Sequence, residues 1–213
     1  MKALDLFCGA GGASAGLRLS GFNVIGVDIR YQPNYPFHFI HADAMDFPLD
    51  GFDFIWASPP CQAFSKARKL RGNEHQNLIP GIRQRLQAAG VPYCIENVPG
   101  APLKNPVMLC GSMFGLKVYR HRIFEANFNI PFALCNHGGK QVKMGRPITE
   151  GDIIQVVGHF SNVPYARKAM GINWMNRGEL SQAIPPAYSK FIADAAFAET
   201  MAPNSQTTKQ EGR

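Results

Sequence analysis

The sequence lacks several features that define common protein classes. Its five cysteines are scattered, odd in number and without a Cys-x-x-Cys pair, which argues against a disulfide framework and against a four-thiolate zinc site. No apolar run approaches the roughly 20 residues that span a bilayer, and no signal peptide precedes the first predicted strand. We therefore expect a soluble protein of a reducing cytoplasm, with no membrane partner.

Acidic residues are scarce relative to basic ones. The 213 residues include 22 Lys and Arg but 15 Asp and Glu, which gives a formal net charge of +7. A basic chain favours polyanionic partners, and nucleic acid is the first candidate. The length and the 46% hydrophobic content suit one domain with an elaboration.

One thiol, Cys61, follows directly on an apolar run. The predicted strand Phe52–Ala57 is followed by Ser58-Pro59-Pro60-Cys61-Gln62, and the two prolines end the strand because proline donates no backbone hydrogen bond. Chemistry in open α/β sheets gathers beyond the carboxyl ends of the strands. Cys61 is therefore a candidate nucleophile, against the alternative that it is one more small buried hydrophobic residue.

The first thirty residues predict a strand, a glycine-rich turn, a helix and a second strand. The strands are residues 2–7 and 22–28, the helix is 13–20, and the turn carries Gly9, Gly11 and Gly12. This outline is that of a nucleotide-binding βαβ unit, in which Asp28 at the end of the second strand can accept hydrogen bonds from ribose hydroxyls. Ser14 occupies the place of the third glycine of the dinucleotide pattern, which disfavours a nicotinamide or flavin oxidoreductase.

The later elements bring further polar residues to predicted strand ends. Strands are predicted at 37–40, 52–57, 91–98, 119–125 and 152–157, and helices at 78–89 and 187–196. Asp43 follows the third strand, where a solvated loop acid or helix cap is the alternative reading. Glu96 ends an apolar strand, where an unpaired carboxylate is costly to bury. Alternation along 119–125 places Arg120 and Arg122 on one face, as two guanidinium forks for an anionic or carbonyl-rich target.

Two further segments carry candidate ligand-binding residues. The stretch from Gln62 to about Gln76 predicts an exposed loop that can contact phosphates; its candidate residues are Gln62, Ser65, Lys66, Arg68, Lys69 and Arg71. Between residues 126 and 170, Cys135 and His137 are only two possible metal ligands at an unsuitable spacing, with His159 distant. We therefore expect no metal site.

Taken together, these motifs resemble the cytosine-5 DNA methyltransferases. The resemblance is carried by Asp5-Leu-Phe-Cys-Gly-Ala-Gly-Gly12, Asp28, Asp43, Ser58-Pro-Pro-Cys-Gln62, Glu96-Asn97-Val98, Arg120-x-Arg122 and Gln182-Ala-Ile-Pro-Pro186. It spans nearly the whole ordered chain in the family's usual order. The compact frame and the ending before the last helix are similar to small enzymes encoded by bacteriophages and prophages.

The resemblance implies an α/β fold of the Rossmann-like, S-adenosylmethionine-dependent methyltransferase type. Its mixed, mostly parallel central sheet would be flanked by helices and carry a small irregular, β-containing elaboration. Residues 1–125 and 173–200 would form the catalytic domain, 126–172 a reduced target-recognition insertion, and 201–213 a disordered tail.

The resemblance also implies the function, which is transfer of a methyl group from S-adenosylmethionine to carbon 5 of cytosine in DNA, as in restriction-modification. Cys61 would add to carbon 6 of the ring, Glu96 would bind N3 and the exocyclic amine, and Arg122 with Arg120 would hold the O2 carbonyl and a nearby phosphate. The implied cofactor-binding residues are Asp5, Phe7, Gly9, Gly11, Gly12, Asp28, Asp43 and Pro59. Among them Asp28 would hold the ribose, Asp43 the adenine amino group and Phe7 the adenine face. S-adenosylhomocysteine would be the product.

The implied partner is duplex DNA with a flipped cytosine, bound by a monomer in the cytoplasm of a bacterial host. Two alternatives stay open. The first is the same chemistry on RNA or on a free cytidine nucleotide, which the short segment between Arg122 and the final motif favours. The second is a catalytically silent module that binds S-adenosylmethionine or nucleic acid.

Overall fold

A single mixed sheet organises the chain. The computed structural model describes residues 1–62, 64, 76–132, 134–139, 141–142 and 146–201, without the side chains of 199–201. The strands are β1 (Lys2–Leu6), β2 (Asn23–Asp28), β3 (His38–His41), β4 (Phe54–Ala57), β5 (Tyr93–Asn97), β6 (Val107–Leu109) and β7 (Arg122–Ala126). They form a seven-stranded sheet in the order β3-β2-β1-β4-β5-β7-β6.

The direction of the strands fixes which of their ends share an edge of the sheet. The strands from β3 through β5 are parallel to their neighbours, whereas β7 runs antiparallel to both β5 and β6. Every residue of β4 and β5 is buried, as expected for central strands covered on both faces. The expected fold class, a mostly parallel mixed sheet flanked by helices, is confirmed.

Helices cover both faces of this sheet. They are α1 (Gly12–Leu19), α2 (Ile79–Ala89), α3 (Val163–Met170), α4 (Arg177–Gln182) and α5 (Pro186–Met201), with a 3₁₀ turn at Gly111–Phe114. Gly16 lets α1 approach α5 closely, because a Cβ there would lie 2.1 Å from the Pro186 carbonyl oxygen. No helix in the described part of the chain is both long and apolar enough to cross a membrane.

The three largest apolar clusters among the described residues hold the layers together. One lies between the sheet and α1 with α5 and includes Trp56, Phe124 and Tyr188. A second lies under α2 on the opposite face. The third joins residues of the elaboration to Leu180 of α4 and to Ala10 of the glycine turn. The elaboration is therefore packed against both the turn and the segment that precedes α5.

Two sequence predictions are wrong in this region. The strand predicted at 152–157 is replaced by isolated bridges, Val118 with Ile154 and Gln141 with Ile153, because this segment meets two different partners at single residues. The strand predicted at 119–125 begins only at Arg122, since Arg120 has a φ of 34°. Of the tail predicted at 201–213, Met201 belongs to α5 and the remainder lies outside the described residues.

Candidate active site

The candidate site lies along the edge of the sheet where the parallel strands end. Since β1 through β5 run parallel, their carboxyl ends meet there, and antiparallel β7 starts at the same edge. The strand-end rule of open α/β sheets therefore applies to this chain. The predicted residues that the structure brings to this edge are Phe7, Gly9, Asp28, Asp43, Pro59, Cys61, Glu96 and Arg122.

The segment that carries Cys61 is fixed to the neighbouring strand end. The side-chain amide of Asn97, buried at the end of β5, donates to the Pro59 carbonyl at 3.0 Å. The Phe64 backbone N–H donates to the Cys61 carbonyl at 2.9 Å and closes a turn after the thiol. Cys61 is thus partly buried on a rigid corner. Asn97, which sequence reasoning used only as part of a motif, supplies the fixing contact.

Glu96 lies in β5 with 6% of its surface exposed, and its carboxylate has two partners. The Arg122 Nε lies 3.1 Å from Glu96 Oε1, and the Ser58 hydroxyl also bonds the carboxylate. The Trp56 indole N–H donates to Ser58 Oγ at 2.8 Å, which orients that hydroxyl towards Glu96. The sequence predicted that a buried Glu96 needs a partner, and Arg122 and Ser58 are its partners.

Charge and burial act in opposite directions on the two reactive groups. Burial raises the pKa of Glu96, while Arg122 and the Ser58 hydrogen bond lower it. Burial also raises the pKa of the Cys61 thiol, and the Glu96 carboxylate raises it further, whereas Arg122 lowers it. The ionisation of Cys61 therefore depends on the balance between Glu96 and Arg122.

The Arg120 guanidinium is bound by backbone carbonyls, whereas Arg122 pairs with Glu96 in the site. The Arg120 guanidinium donates to three backbone carbonyls, those of Ala183 at 2.7 Å, Val156 at 2.6 Å and Ser181 at 2.8 Å. The predicted strand face shared by Arg120 and Arg122 is not formed, because β7 begins at Arg122. Arg120 joins the elaboration to the segment before α5, and we interpret it as a positioning residue.

The turn after β1 offers an open backbone and an oriented carboxylate. Gly9 has a φ of 49°, and a Cβ there would meet nothing within 4 Å, so this part of the turn can accept a ligand. The Gly9 N–H donates to Asp28 Oδ2 at 3.0 Å, and the Arg30 N–H donates to Asp28 Oδ1 at 2.9 Å. Each carboxylate oxygen keeps further acceptor capacity, as a contact with ribose hydroxyls requires.

The other predicted cofactor residues border this turn. Asp43 is exposed after β3, and its Oδ1 accepts the Met45 N–H at 2.8 Å. Phe7 is half-buried with a φ of 59°, a left-handed conformation that non-glycine residues seldom adopt. Pro59 is buried next to the end of β4. The acids and the aromatic ring are thus placed at successive strand ends, as a nucleoside site requires.

Gly11 and Gly12 serve packing in the structure. A Cβ at Gly11 would lie 2.9 Å from the ring of Tyr35, and one at Gly12 would lie 2.4 Å from the Ile184 carbonyl oxygen. These glycines therefore let the turn pack against the segments on either side.

Asp5 is fully buried beneath the same turn. Ser14 Oγ donates to Asp5 Oδ2 and lies 2.7 Å from the Tyr35 hydroxyl, while Asp5 Oδ1 has no hydrogen-bond partner among the described residues. Burial raises the pKa of Asp5 to about 7. Asp5 thus supports the turn from inside. Sequence reasoning noted Ser14 only as a departure from the dinucleotide pattern and missed Tyr35.

A cavity of about 520 Å³ opens beside Arg122, between the sheet edge and the elaboration. Its lining includes Arg120, His121, Arg122, His137 and Gln155, and its volume is large enough for a base or a sugar. Of the residues predicted to bind nucleic acid, Gln62 is exposed directly after Cys61. The others, Ser65, Lys66, Arg68, Lys69 and Arg71, lie outside the described residues.

The part of the chain that holds most of this site is similar to known proteins. Residues 1–101 match the model of the C-5 cytosine-specific DNA methylase family. The type II methyltransferase M.AgeI of Thalassovita gelatinovora is 28% identical over 122 residues, which cover 47% of this chain and 28% of that protein. The type II methyltransferase M.HgiDI of Herpetosiphon aurantiacus is 29% identical over 135 residues, which cover 56% of this chain and 44% of that protein. The chain thus spans less than half the length of either relative.

A solved structure extends the likeness in fold over almost the whole chain. A prophage-encoded protein of E. coli, assigned as a DNA modification methyltransferase, superposes with a TM-score of 0.66. The alignment covers 93% of this chain and 99% of that one, at 13% identity. This likeness concerns the fold, which therefore includes the sheet edge and the segments after Arg122.

Proposed function

Since residues 1–101 of this chain match the model of the C-5 cytosine-specific DNA methylase family, we propose that the protein transfers a methyl group from S-adenosylmethionine to carbon 5 of cytosine in DNA. The observation that carries the proposal is the convergence of Cys61, Glu96 and Arg122 at one sheet edge, with Arg122 paired to Glu96 at 3.1 Å. The family model ends before Arg122, so this pairing is support that the match itself does not contain.

The turn after β1 and the neighbouring acids fit the proposed cofactor. Gly9 leaves open space, the Asp28 carboxylate at the neighbouring strand end would accept hydrogen bonds from ribose hydroxyls, and Asp43 and Phe7 would hold the adenine amino group and ring. S-adenosylmethionine supplies an electrophilic methyl group when bound. The chain's own contribution is to hold that cofactor at the carboxyl end of β1, with Cys61 at the end of the adjacent β4.

Cys61 supplies the nucleophile that cytosine chemistry requires. Carbon 5 of cytosine is a weak nucleophile, and addition of the Cys61 thiolate to carbon 6 raises the electron density at carbon 5. After methylation, loss of the carbon 5 proton lets the sulfur–carbon 6 bond break and returns the thiolate. Cys61 is partly buried but not enclosed, so a substrate can reach its sulfur.

Glu96 and Arg122 stabilise the charge that this addition creates. A Glu96 carboxyl whose pKa is raised by burial can share a proton with ring N3 and accept a hydrogen bond from the exocyclic amine. Arg122 can donate to the O2 carbonyl, while its charge also lowers the pKa of Cys61. One buried ion pair thus prepares both the base-binding groups and the nucleophile.

A duplex substrate must present its cytosine outside the helix. Flipping a base costs a few kcal/mol, and a cavity of about 520 Å³ opens beside Arg122, the partner of Glu96. The net charge of +7 favours attraction to the phosphate backbone. These features support DNA as the substrate.

Methyl transfer from radiolabelled S-adenosylmethionine tests the proposal. Duplex DNA of mixed sequence, transfer RNA and deoxycytidine monophosphate are offered separately to the wild type and to Cys61→Ala. We expect label in duplex DNA with the wild type and none with Cys61→Ala, and release of 5-methylcytosine on digestion of that DNA.

The other outcomes separate the alternatives. Label in transfer RNA or in the mononucleotide, with none in DNA, would assign the same chemistry to those substrates. Binding of S-adenosylmethionine by calorimetry without label in any substrate would identify a silent binding module. Equal labelling by wild type and Cys61→Ala would exclude Cys61 as the nucleophile.

A further inference from the structure

We propose that Cys110, His121, Cys135 and His137 bind a structural zinc ion. Their four ligand atoms all lie within 4.8 Å of one another. Cys110 and His121 come from the ends of β6 and β7, whereas Cys135 and His137 come from the segment after β7. This convergence revises the sequence prediction of no metal, which considered only Cys135 and His137 with the distant His159.

The spacing of the ligand atoms is close to that of a tetrahedral site. Cys110 Sγ lies 3.3 Å from His137 Nε2, and Cys135 Sγ lies 3.6 Å from His121 Nε2. Zinc bonds of about 2.3 Å to sulfur and about 2.0 Å to nitrogen place tetrahedral ligand atoms roughly 3.3–3.8 Å apart. Both cross-pairs already have this separation, and since no pair of ligand atoms is more than 4.8 Å apart, the remaining pairs need a closure of at most about 1 Å to reach the tetrahedral range.

The donor set selects the metal. Two thiolates with two imidazoles in a four-ligand site are typical of structural zinc, and carboxylate or carbonyl ligands preferred by magnesium and calcium are absent from the group. Ser112 Oγ donates to Cys110 Sγ at 3.2 Å, and the Asn136 N–H donates to Ser112 Oγ at 3.1 Å. Such outer contacts orient metal ligands, and here they join the two chain segments that the ion would bridge.

The stretch 131–139, which carries Cys135 and His137, needs such a bridge because all of its described residues are exposed. Phe132 and Leu134 are each 79% exposed, and the described residues between β7 and α3 include no helix and no strand longer than a bridge. Metal binding can supply the folding free energy that a small core does not. The site would fix this segment to the edge of the sheet.

His121 links the proposed ion to the candidate active site. It lies between Arg120, which holds three backbone carbonyls, and Arg122, which pairs with Glu96. A ligand bond at His121 would restrict the backbone from which both arginines extend. The zinc would thus act on the position of Arg122, and the ion itself would take no part in chemistry.

Metal analysis of the purified protein tests the inference without any activity assay. The chain is produced with zinc in the medium, freed of any affinity tag, and analysed by inductively coupled plasma mass spectrometry. We expect about one zinc per chain in the wild type, and a cobalt-substituted protein with the intense visible bands of a tetrahedral thiolate site. Cys135→Ser and His137→Gln should lose both signals, while His38→Gln, at an exposed histidine of β3, should keep them.

A chelator melt covers variants that fail to fold. A strong chelator should lower the melting temperature of the wild type and of His38→Gln. Wild-type protein without zinc, or His137→Gln with wild-type zinc content, would overturn the inference. A Cys110–Cys135 disulfide in the native protein would also overturn it. Such a bond would lower the intact mass by two hydrogens and would be located by peptide mapping.

Discussion

Arg122 Nε lies 3.1 Å from Glu96 Oε1, and the two side chains are only 14% and 8% exposed. A buried ion pair of this kind contributes little net stability, because desolvation of both ions offsets their attraction. Its position beside Cys61 indicates a functional reason for burying the charges. The pair joins the two groups that we propose to bind the base, and the two charges shift the pKa of the Cys61 thiol in opposite directions.

The first prediction concerns the ionisation of Cys61. The pKa of this thiol is raised above 9.0 by burial and then by Glu96, and lowered by Arg122. Glu96→Gln should therefore lower the pKa of Cys61, and Arg122→Ala should raise it. The measurement is the pH dependence of iodoacetamide alkylation at Cys61, resolved by peptide mass spectrometry.

A distant carboxylate provides the control for this experiment. Asp194 is exposed and paired with Lys190 in α5, so Asp194→Asn should leave the alkylation profile of Cys61 unchanged. Shifts of the same sign in Glu96→Gln and Arg122→Ala would contradict the electrostatic balance, since loss of opposite charges must move the pKa in opposite directions.

Arg120 should act mainly on stability. Arg120→Ala removes the donors to the carbonyls of Ala183, Val156 and Ser181, and we expect the free energy of unfolding to fall by about 3 kcal/mol. Urea denaturation of the variant checks the value, with Arg30→Ala at an exposed position as the control. A variant with wild-type stability that has lost methyl transfer would instead make Arg120 a substrate-binding residue.

Local patterns in the sequence predict most of the sheet and the edge that carries the candidate site. Strands β1 to β5 are short apolar runs bounded by glycine or proline, and the strand-end rule then places Asp28, Cys61 and Glu96 on one side without knowledge of any contact. The helices α1, α2 and α5 follow from their periodicity and from glycines such as Gly90, which ends α2 in a left-handed conformation. These features depend on neighbouring residues only.

The parts that could not be predicted depend on contacts between distant segments. Alternation suggested a shared face for Arg120 and Arg122, but the start of β7 is set by pairing with β5 and β6. Likewise, Tyr35 reaches Ser14 across 21 residues. Helices α3 and α4 do have a local signal for where they begin, because Asn162 and Asn176 are their N-cap residues. Neither helix was among the sequence predictions.

Asp5 should make stability depend on pH. Its pKa is raised from 3.8 to about 7 in the folded state, so its contribution to stability is complete below the unfolded pKa and is lost as the pH rises through about 7. Asp5→Asn removes this titration. We expect the stability of the variant relative to wild type to improve between pH 5 and pH 8 by on the order of 2 kcal/mol.

Urea denaturation at the two pH values measures this difference. Asp46→Asn, at an exposed position, should show no comparable change in relative stability with pH. A constant difference between Asp5→Asn and wild type across the range would mean that Asp5 does not titrate between these pH values.

Gly16 offers a test of the contact between α1 and α5, because helix propensity and packing predict opposite signs there. Propensity alone favours Gly→Ala inside a helix by about 1 kcal/mol. A Cβ at Gly16 would instead lie 2.1 Å from both the Pro186 carbonyl oxygen and Ser189 Oγ, so we expect Gly16→Ala to destabilise the fold by about 3 kcal/mol.

Gly178→Ala in α4, where the nearest atom would be 3.4 Å away, should be neutral or stabilising in the same urea titration. Destabilisation confined to Gly16→Ala would show that close packing of α1 against α5 outweighs helix propensity at this position, and equal effects of the two substitutions would contradict it.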